Sequence, residues 1–257
     1  MDNMINESDL AQAFELMDVS GLDANNLLSA AKEVMETMVE YKELRMRYSC
    51  AIKEISTKFE VLDAEFKARY QRNPIKSITS RLKSNKSILG KCARKGIEFD
   101  LDDIEENLND IAGVRVVCSY IDDIYMLADA LTSQDDITLV SKKDYIKNPK
   151  ENGYRSLHLI VSVPVFFAEM KRNIKVEVQI RTIAMDYWAS LEHQLKYKKD
   201  VDEAEEIIQR LKECATTMAS LDREMQLIRD KIDLSKDEMT EDDILYEKIK
   251  RLDFDLE

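Results

Sequence analysis

The chain predicts an α/β core flanked by long helices, and three patterns in its 257 residues carry that prediction. Short β-branched runs alternate with helical pieces between about residues 75 and 181. Before that segment apolar residues recur at three- and four-residue steps. After it they form a heptad series.

The first series runs from about Leu22 to Tyr70 as one or two long helices. Val34, Met38, Tyr41, Tyr48, Ile52, Ile55, Phe59, Leu62 and Phe66 mark its apolar face, and Arg45 stands where another apolar residue is expected. Asn73-Pro74 ends it, because proline disfavours helix in the residue before it. Five strands follow, around Ile78 to Lys83, Ile111 to Tyr120, Ile137 to Tyr145, Leu157 to Val165 and Lys175 to Arg181. Beyond Thr182 the chain returns to helix, and Ile207, Leu211, Cys214, Met218, Leu221, Met225, Ile228 and Ile232 keep an unbroken heptad spacing. Such a seam needs a cover, either the N-terminal helix or another subunit. The expected organisation is a helical region over 1–74, a core over 75–198 and a helical region over 199–257, whose acidic end (237–257) is a further helix or a mobile tail.

A formal charge of −13 and a pI near 4.8 argue against a protein that coats nucleic acid, since its field would repel polyphosphate. Any phosphate site must be locally basic. No run of 18 apolar residues occurs, and Met-Asp-Asn-Met-Ile-Asn-Glu lacks the order of a signal peptide, so a cytoplasmic protein with no membrane partner is expected. Cys50, Cys92, Cys118 and Cys214 form no Cys-x-x-Cys pair and read as buried, reduced thiols. With two histidines in all, a zinc enzyme is disfavoured.

The chemistry concentrates in four places. Residues 150–158, Lys-Glu-Asn-Gly-Tyr-Arg-Ser-Leu-His, form a cationic turn with one of only five glycines, running into a strand. Leu157, Leu159, Val161 and Val163 would face the core, while Tyr154, Ser156 and His158 share the other face. An aromatic plate beside Lys150 and Arg155 can stack a base and hold its phosphates, although such residues also occur on ordinary strand surfaces. Between Lys76 and Lys95 stand seven Lys or Arg and no acid; Ser84 can cap a helix, and Lys83, Ser87, Lys91 and Arg94 recur at helical spacing with Ile88, Leu89 and Cys92 opposite. A helix N-terminus beside such a stripe suits a triphosphate, though the plainer reading is a solvated face.

Two acids complete the set. Asp110 precedes the strand Ile111 to Val117, and strand parity puts it opposite Arg115 unless it lies off the strand. In Lys175-Val-Glu177-Val-Gln179-Ile-Arg181 the aliphatics point one way and the four polar residues the other. A polar row on a core strand is costly when buried unpaired, so this one lines a site or faces solvent. Two carboxylates can hold Mg²⁺ together with phosphate oxygens and water, and Glu177 can also accept a hydroxyl proton.

Taken in order, Arg81-x-Lys83, Asp110-Ile-Ala-Gly-Val-Arg115, Lys143 to His158, Glu177-Val-Gln-Ile-Arg-Thr182 and Asp186-Tyr-Trp-Ala-Ser-Leu-Glu192-His193 resemble the synthetase domain of RelA/SpoT-type alarmone enzymes, over about residues 75–198. The chain is most similar to the small alarmone synthetases, which lack the hydrolase and regulatory domains. The resemblance implies a mixed five-stranded sheet flanked by helices, related to nucleotidyltransferases. It implies transfer of the β,γ-pyrophosphate of ATP to the 3′-hydroxyl of GDP or GTP, with Mg²⁺, giving (p)ppGpp and AMP. Carried over by position, Arg81 and Arg115 would sandwich adenine, and Lys83, Ser87, Lys91 and Arg94 would contact the ATP phosphates. Asp110 and Glu177 would hold Mg²⁺, with Glu177 the base. Tyr154 would stack on guanine, Lys143, Lys150 and His158 would hold the acceptor's phosphates, Gln179 would support the site, and Asp186 could accept from both guanine N1–H and its amine. Lys143 replaces the Arg frequent in the family, which leaves the choice among GMP, GDP and GTP open. The resemblance also implies a homotetramer joined by the C-terminal helices; product activation and RNA binding, known in some relatives, have no residues assigned here. The alternatives are another acceptor, an adenine nucleotide or tRNA, or a nucleotide- or RNA-binding module without turnover.

Overall fold

The computed structural model describes residues 24–70, 72–97, 100–196 and 204–237. Strands β1 (Ile75–Leu82), β2 (Ala112–Cys118), β3 (Thr138–Asp144), β4 (Leu157–Phe166) and β5 (Lys171–Thr182) form one sheet in the order β1-β2-β5-β4-β3. β2 and β5 pair in parallel and the other three pairs are antiparallel, so the sheet is mixed, as expected. Helices α1 (Ala24–Tyr70), α2 (Asn85–Lys95), α3 (Leu101–Asn107), α4 (Ile121–Thr132), α5 (Ile183–Lys196) and α6 (Ala204–Asp237) surround it.

One sheet face is dry. Val114 and Val116 of β2, Leu157, Leu159, Val161 and Val163 of β4 and Val176, Val178 and Ile180 of β5 pack with Leu44, Tyr48, Ile55 and Phe59 of α1 and Ile124, Leu127 and Leu131 of α4. Burying each such aliphatic stabilises the fold by about 1.5–3 kcal/mol, which offsets the ordering of a helix as long as α1. The single helix α1 therefore shares its core with the sheet. The period-two alternation leaves the other face to polar residues, and the strand registers set them in rows. Thr79, Arg115, Gln179, His158 and Lys143 lie side by side across all five strands, and Arg81, Gly113 and Glu177 form the next row.

Three expectations are corrected. Leu89 is exposed, because α2 buries only the edge carrying Ile88 and Cys92. Cys214 is exposed, whereas Cys92 and Cys118 are buried and Cys50 is half-buried; all four thiols are free. The heptad seam is not the face by which α6 docks. That helix lies on α5 and α4 and buries Ala215, Ala219 and Asp222, with Leu211 and Met218 at the edge. Leu221, Met225, Ile228 and Ile232 remain exposed, Leu221 by 56%. The docked face also carries polar groups: Asp222 accepts from Thr182 Oγ1 at 2.7 Å, Gln226 donates to Asp122 at 2.9 Å, and Arg229 lies 3.7 Å from the fully buried Asp123, an ion pair without a hydrogen bond that also takes in Arg72. The expectations placed on residues 1–23 and 238–257 lie outside the described residues.

Candidate active site

The polar sheet face and the β1–α2 turn enclose the site. Lys83 stands just beyond β1, its N–H donating to Ile111 O at 2.8 Å, and Ser84 caps α2 by accepting from Ser87 N at 3.3 Å. This turn is propped from behind by α1. Arg45 Nη1 donates to Lys83 O at 3.0 Å and to Asn85 Oδ1 at 2.9 Å, and Tyr41 Oη donates to the same Asn85 oxygen at 3.0 Å. The charged residue interrupting the apolar series of α1 is thus a strut for the helix N-terminus, which explains why a hydrophobic residue is missing there.

Asp110 lies two residues ahead of β2, off the strand, so parity does not turn it away from Arg115. Lys83 Nζ approaches one of its oxygens at 2.7 Å and Lys91 Nζ the other at 2.8 Å. Burial alone would raise the Asp110 pKa, but the hydrogen bonds and charges of the two lysines outweigh it and hold the carboxyl below its usual range. A depressed folded-state pKa contributes stability above the unfolded value of about 4, lost as pH falls through the folded value. Wild-type protein is therefore expected to resist urea better than Asp110→Asn at pH 7, with the two midpoints converging as the medium is acidified below pH ~4. A gap that persists in acid would sink this assignment.

Glu177 sits half-buried in the middle of the sheet. Gln179 Nε2 donates to its Oε2 at 3.0 Å, and His158 Nδ1 stands 3.6 Å from Oε1. Burial pushes its pKa up and the charge of Asp110 adds to that, yet His158 and Gln179 prevail and hold it below the ordinary glutamate value. The strand register sets Val176, beside Glu177, opposite Ala112, two residues after Asp110.

On the other side, Tyr154 Oη is 2.8 Å from His158 Nε2 and accepts from Arg181 Nη2 at 2.6 Å. Lys150 Nζ lies 4.7 Å and 4.8 Å from the ring centroids of Tyr145 and Tyr154, and Tyr145 meets His158 edge-on at 5.2 Å. Asp186, in the first turn of α5, shares its Oδ1 between Arg181 at 3.1 Å and Arg115 at 3.3 Å. Burial and the nearby Arg181 charge lower the Arg115 pKa, with Asp186 opposing. The turn carrying Tyr154 is seated on α6. Gly153 has φ +89°, and a Cβ there would meet Ala215 Cβ at 2.6 Å and Lys212 Cα at 3.6 Å. Gly153→Ala combines left-handed strain with overpacking, and a loss of about 2–4 kcal/mol is expected. Urea unfolding checks it; an unchanged midpoint would mean that the loop and α6 part freely.

A family described as "Region found in RelA / SpoT proteins" matches residues 80–202. The GTP pyrophosphokinase YwaC of Bacillus subtilis is 42% identical over 217 residues, spanning 84% of this chain and 100% of the relative. The chain belongs to the RelA/SpoT family. Also similar are the GTP pyrophosphokinase YjbM of the same organism, at 36% identity over 75% of this chain and 90% of the relative, and the crystal structure of small alarmone synthetase 1 from Bacillus subtilis bound to its product pppGpp. That structure superimposes with a TM-score of 0.68 at 35% identity, covering 75% of this chain and 98% of the other.

Within this RelA/SpoT fold the expected site residues fall into two groups. Arg115, Lys150, Tyr154, His158, Glu177, Gln179 and Asp186 are linked by contacts, as are Lys83, Lys91 and Asp110. Arg81 and Lys143 take their places by register, Arg81 opposite Gly113 and Lys143 opposite His158. Ser87 lies exposed in the first turn of α2 and Arg94 exposed in its last. Two residues given no role from sequence emerge, Tyr145 and Arg181. Tyr145 lies within the quoted Lys143–His158 motif, and Arg181 lies on the polar face of β5, so parity alone was the signal for it.

Proposed function

We propose that this chain is a GTP pyrophosphokinase that transfers the β,γ-pyrophosphate of ATP to the 3′-hydroxyl of GDP or GTP, with GMP a further candidate acceptor. The observation that carries this reading is the row of Arg115, Gln179, His158 and Lys143 beside Glu177, between a lysine-lined helix N-terminus and an aromatic plate. Lys83, Ser87, Lys91 and Arg94 would hold the donor's phosphates, and Arg81 and Arg115 its adenine. Tyr154 would stack the guanine, with Lys143, Lys150 and His158 on the acceptor's phosphates. Asp186 would accept from guanine N1–H and the amine through the lone pairs its two arginines leave.

Asp110 and Glu177 supply hard, ionised oxygens from adjoining segments, a donor set that suits Mg²⁺ with phosphate oxygens and water filling the remaining positions. They would hold the ion, which when bound neutralises charge on the transferred phosphates. Glu177 takes the proton from the 3′-hydroxyl as that oxygen bonds to the β-phosphorus. The bond from the β-phosphorus to the α,β-bridging oxygen breaks, and AMP leaves with that oxygen. Lys83 and Lys91, released from Asp110, follow the donor's negative charge.

The core over 75–198 would carry the chemistry, between the helical regions 1–74 and 199–257. The exposed apolar row of α6 supports a homo-oligomer, a tetramer by family likeness, which light scattering would weigh. Among the described residues no helix is long and apolar enough to cross a membrane, and a cytoplasmic setting is part of the proposal. The deciding experiment incubates the purified protein with ATP, Mg²⁺ and GDP or GTP. AMP and a 3′-pyrophosphorylated guanosine nucleotide are expected. Release of ADP, or of no adenine nucleotide, would overturn the reading.

A further inference from the structure

Arg181 is the most heavily engaged side chain of the polar face. It is 4% exposed, and every guanidinium nitrogen has a partner. Nε donates to Ser156 Oγ at 3.3 Å, Nη1 to Asp186 Oδ1 at 3.1 Å, and Nη2 to both Tyr154 Oη at 2.6 Å and Gln179 Oε1 at 2.9 Å. Its Cζ also lies 5.1 Å from the centre of the Tyr154 ring. From Nη2 two arms run to Glu177. One passes through Gln179, whose amide N–H₂ donates to Oε2. The other passes through the Tyr154 hydroxyl and the His158 ring to Oε1. Arg181 can only donate, so Tyr154 Oη accepts from it while lying 2.8 Å from His158 Nε2, and the other ring nitrogen of His158 faces the carboxylate at 3.6 Å.

We infer that Arg181 is the positioning residue of the acceptor half of the site, holding Tyr154, Asp186 and both oxygens of Glu177 in one arrangement. This rests on the pyrophosphokinase reading above. Arg181 itself sits beneath the site and would touch neither nucleotide. Its planar fork fixes four partners at once, which a lysine ammonium with three donors cannot reproduce. A buried charge with four of its five N–H donors engaged is stable only with its partners in place, so the arrangement is stiff before substrate arrives. None of these contacts reaches the lysines that would hold the donor's phosphates.

The test uses full-length Arg181→Lys and Tyr154→Phe, with circular dichroism to establish folding and calorimetry to measure GDP and a non-hydrolysable ATP analogue binding separately. Arg181→Lys is expected to weaken GDP binding by about tenfold or more and to lower kcat at saturating GDP by a similar factor, as for lost outer-shell support. Binding of the ATP analogue should fall by clearly less than GDP binding, since Arg181 meets the donor side only through the Asp186 oxygen that it shares with Arg115 and through no lysine. Tyr154→Phe keeps the ring and removes the joint of one arm, so it should lower kcat in the same direction by less. Equal weakening of both nucleotides, the mark of general structural damage, would overturn the inference, as would wild-type GDP affinity and kcat in Arg181→Lys. Should Arg181→Lys not fold, Tyr154→Phe decides alone, and an unchanged kcat refutes the proposal. Wild-type protein releasing no AMP would instead refute the pyrophosphokinase reading, so the two failures are told apart.

Discussion

Glu177→Gln is expected to lower AMP release by about 10³-fold or more while the protein unfolds at nearly the wild-type urea concentration. The substitution would remove the proposed base and one of the two proposed anionic ligands together, and leaves the shape of the side chain unchanged. One amide oxygen can still accept from Gln179 or His158, whose donors hold Glu177 in place. GDP binding without metal should remain within about threefold of wild type, because Tyr154 and the lysines are untouched. Substantial turnover by a folded Glu177→Gln protein would remove Glu177 from the chemistry and leave the acceptor hydroxyl without its base.

The second large effect is expected at Tyr154. Removing the ring in Tyr154→Ala should weaken GDP binding by about 1–3 kcal/mol, the usual worth of one base stacked on an aromatic side chain. The damage extends past stacking, since the hydroxyl joins Arg181 to His158 and the ring lies beside Lys150. Tyr154→Ala should therefore fall below Tyr154→Phe in kcat as well as in GDP affinity, with ATP-analogue binding preserved. Calorimetry with GDP, GMP and ADP as ligands checks the assignment. Unaltered GDP affinity would move guanine recognition to another surface.

β4 and β5 were legible because buried aliphatic residues alternate with the others, and a one-residue slip of β5 would bury Lys175 and Glu177. The same alternation exposed the polar row of β5, but not what each member does. Lys175 belongs to that row by parity, yet its ammonium donates to Glu106 O at 2.9 Å at the end of α3, away from the site. Arg181 belongs to it equally and becomes a hub only because β4 pairs with β5 in a register that brings Ser156 and Tyr154 within reach. Nothing local to either strand encodes that register. In the long C-terminal helix the apolar heptad is conspicuous, but small Ala215 and Ala219 let another face pack closer within the subunit, and the heptad row of Leu221, Met225, Ile228 and Ile232 stays exposed. Arg45 looked like a gap in an apolar stripe, and the turn that it supports is 38 residues away in sequence.

Among the described residues β5 is the last strand, and it is the central one in the sheet. While the polypeptide is being synthesised, β1–β2 and β3–β4 can each zip up as separate antiparallel pairs, but the slot between them stays open until residue 182 has emerged. Glu177 arrives in that final insertion. A nascent or truncated chain lacking β5 therefore has two unmatched inner edges and, on the proposed role of Glu177, no base for the transfer, so catalytic competence would wait on the completed sheet.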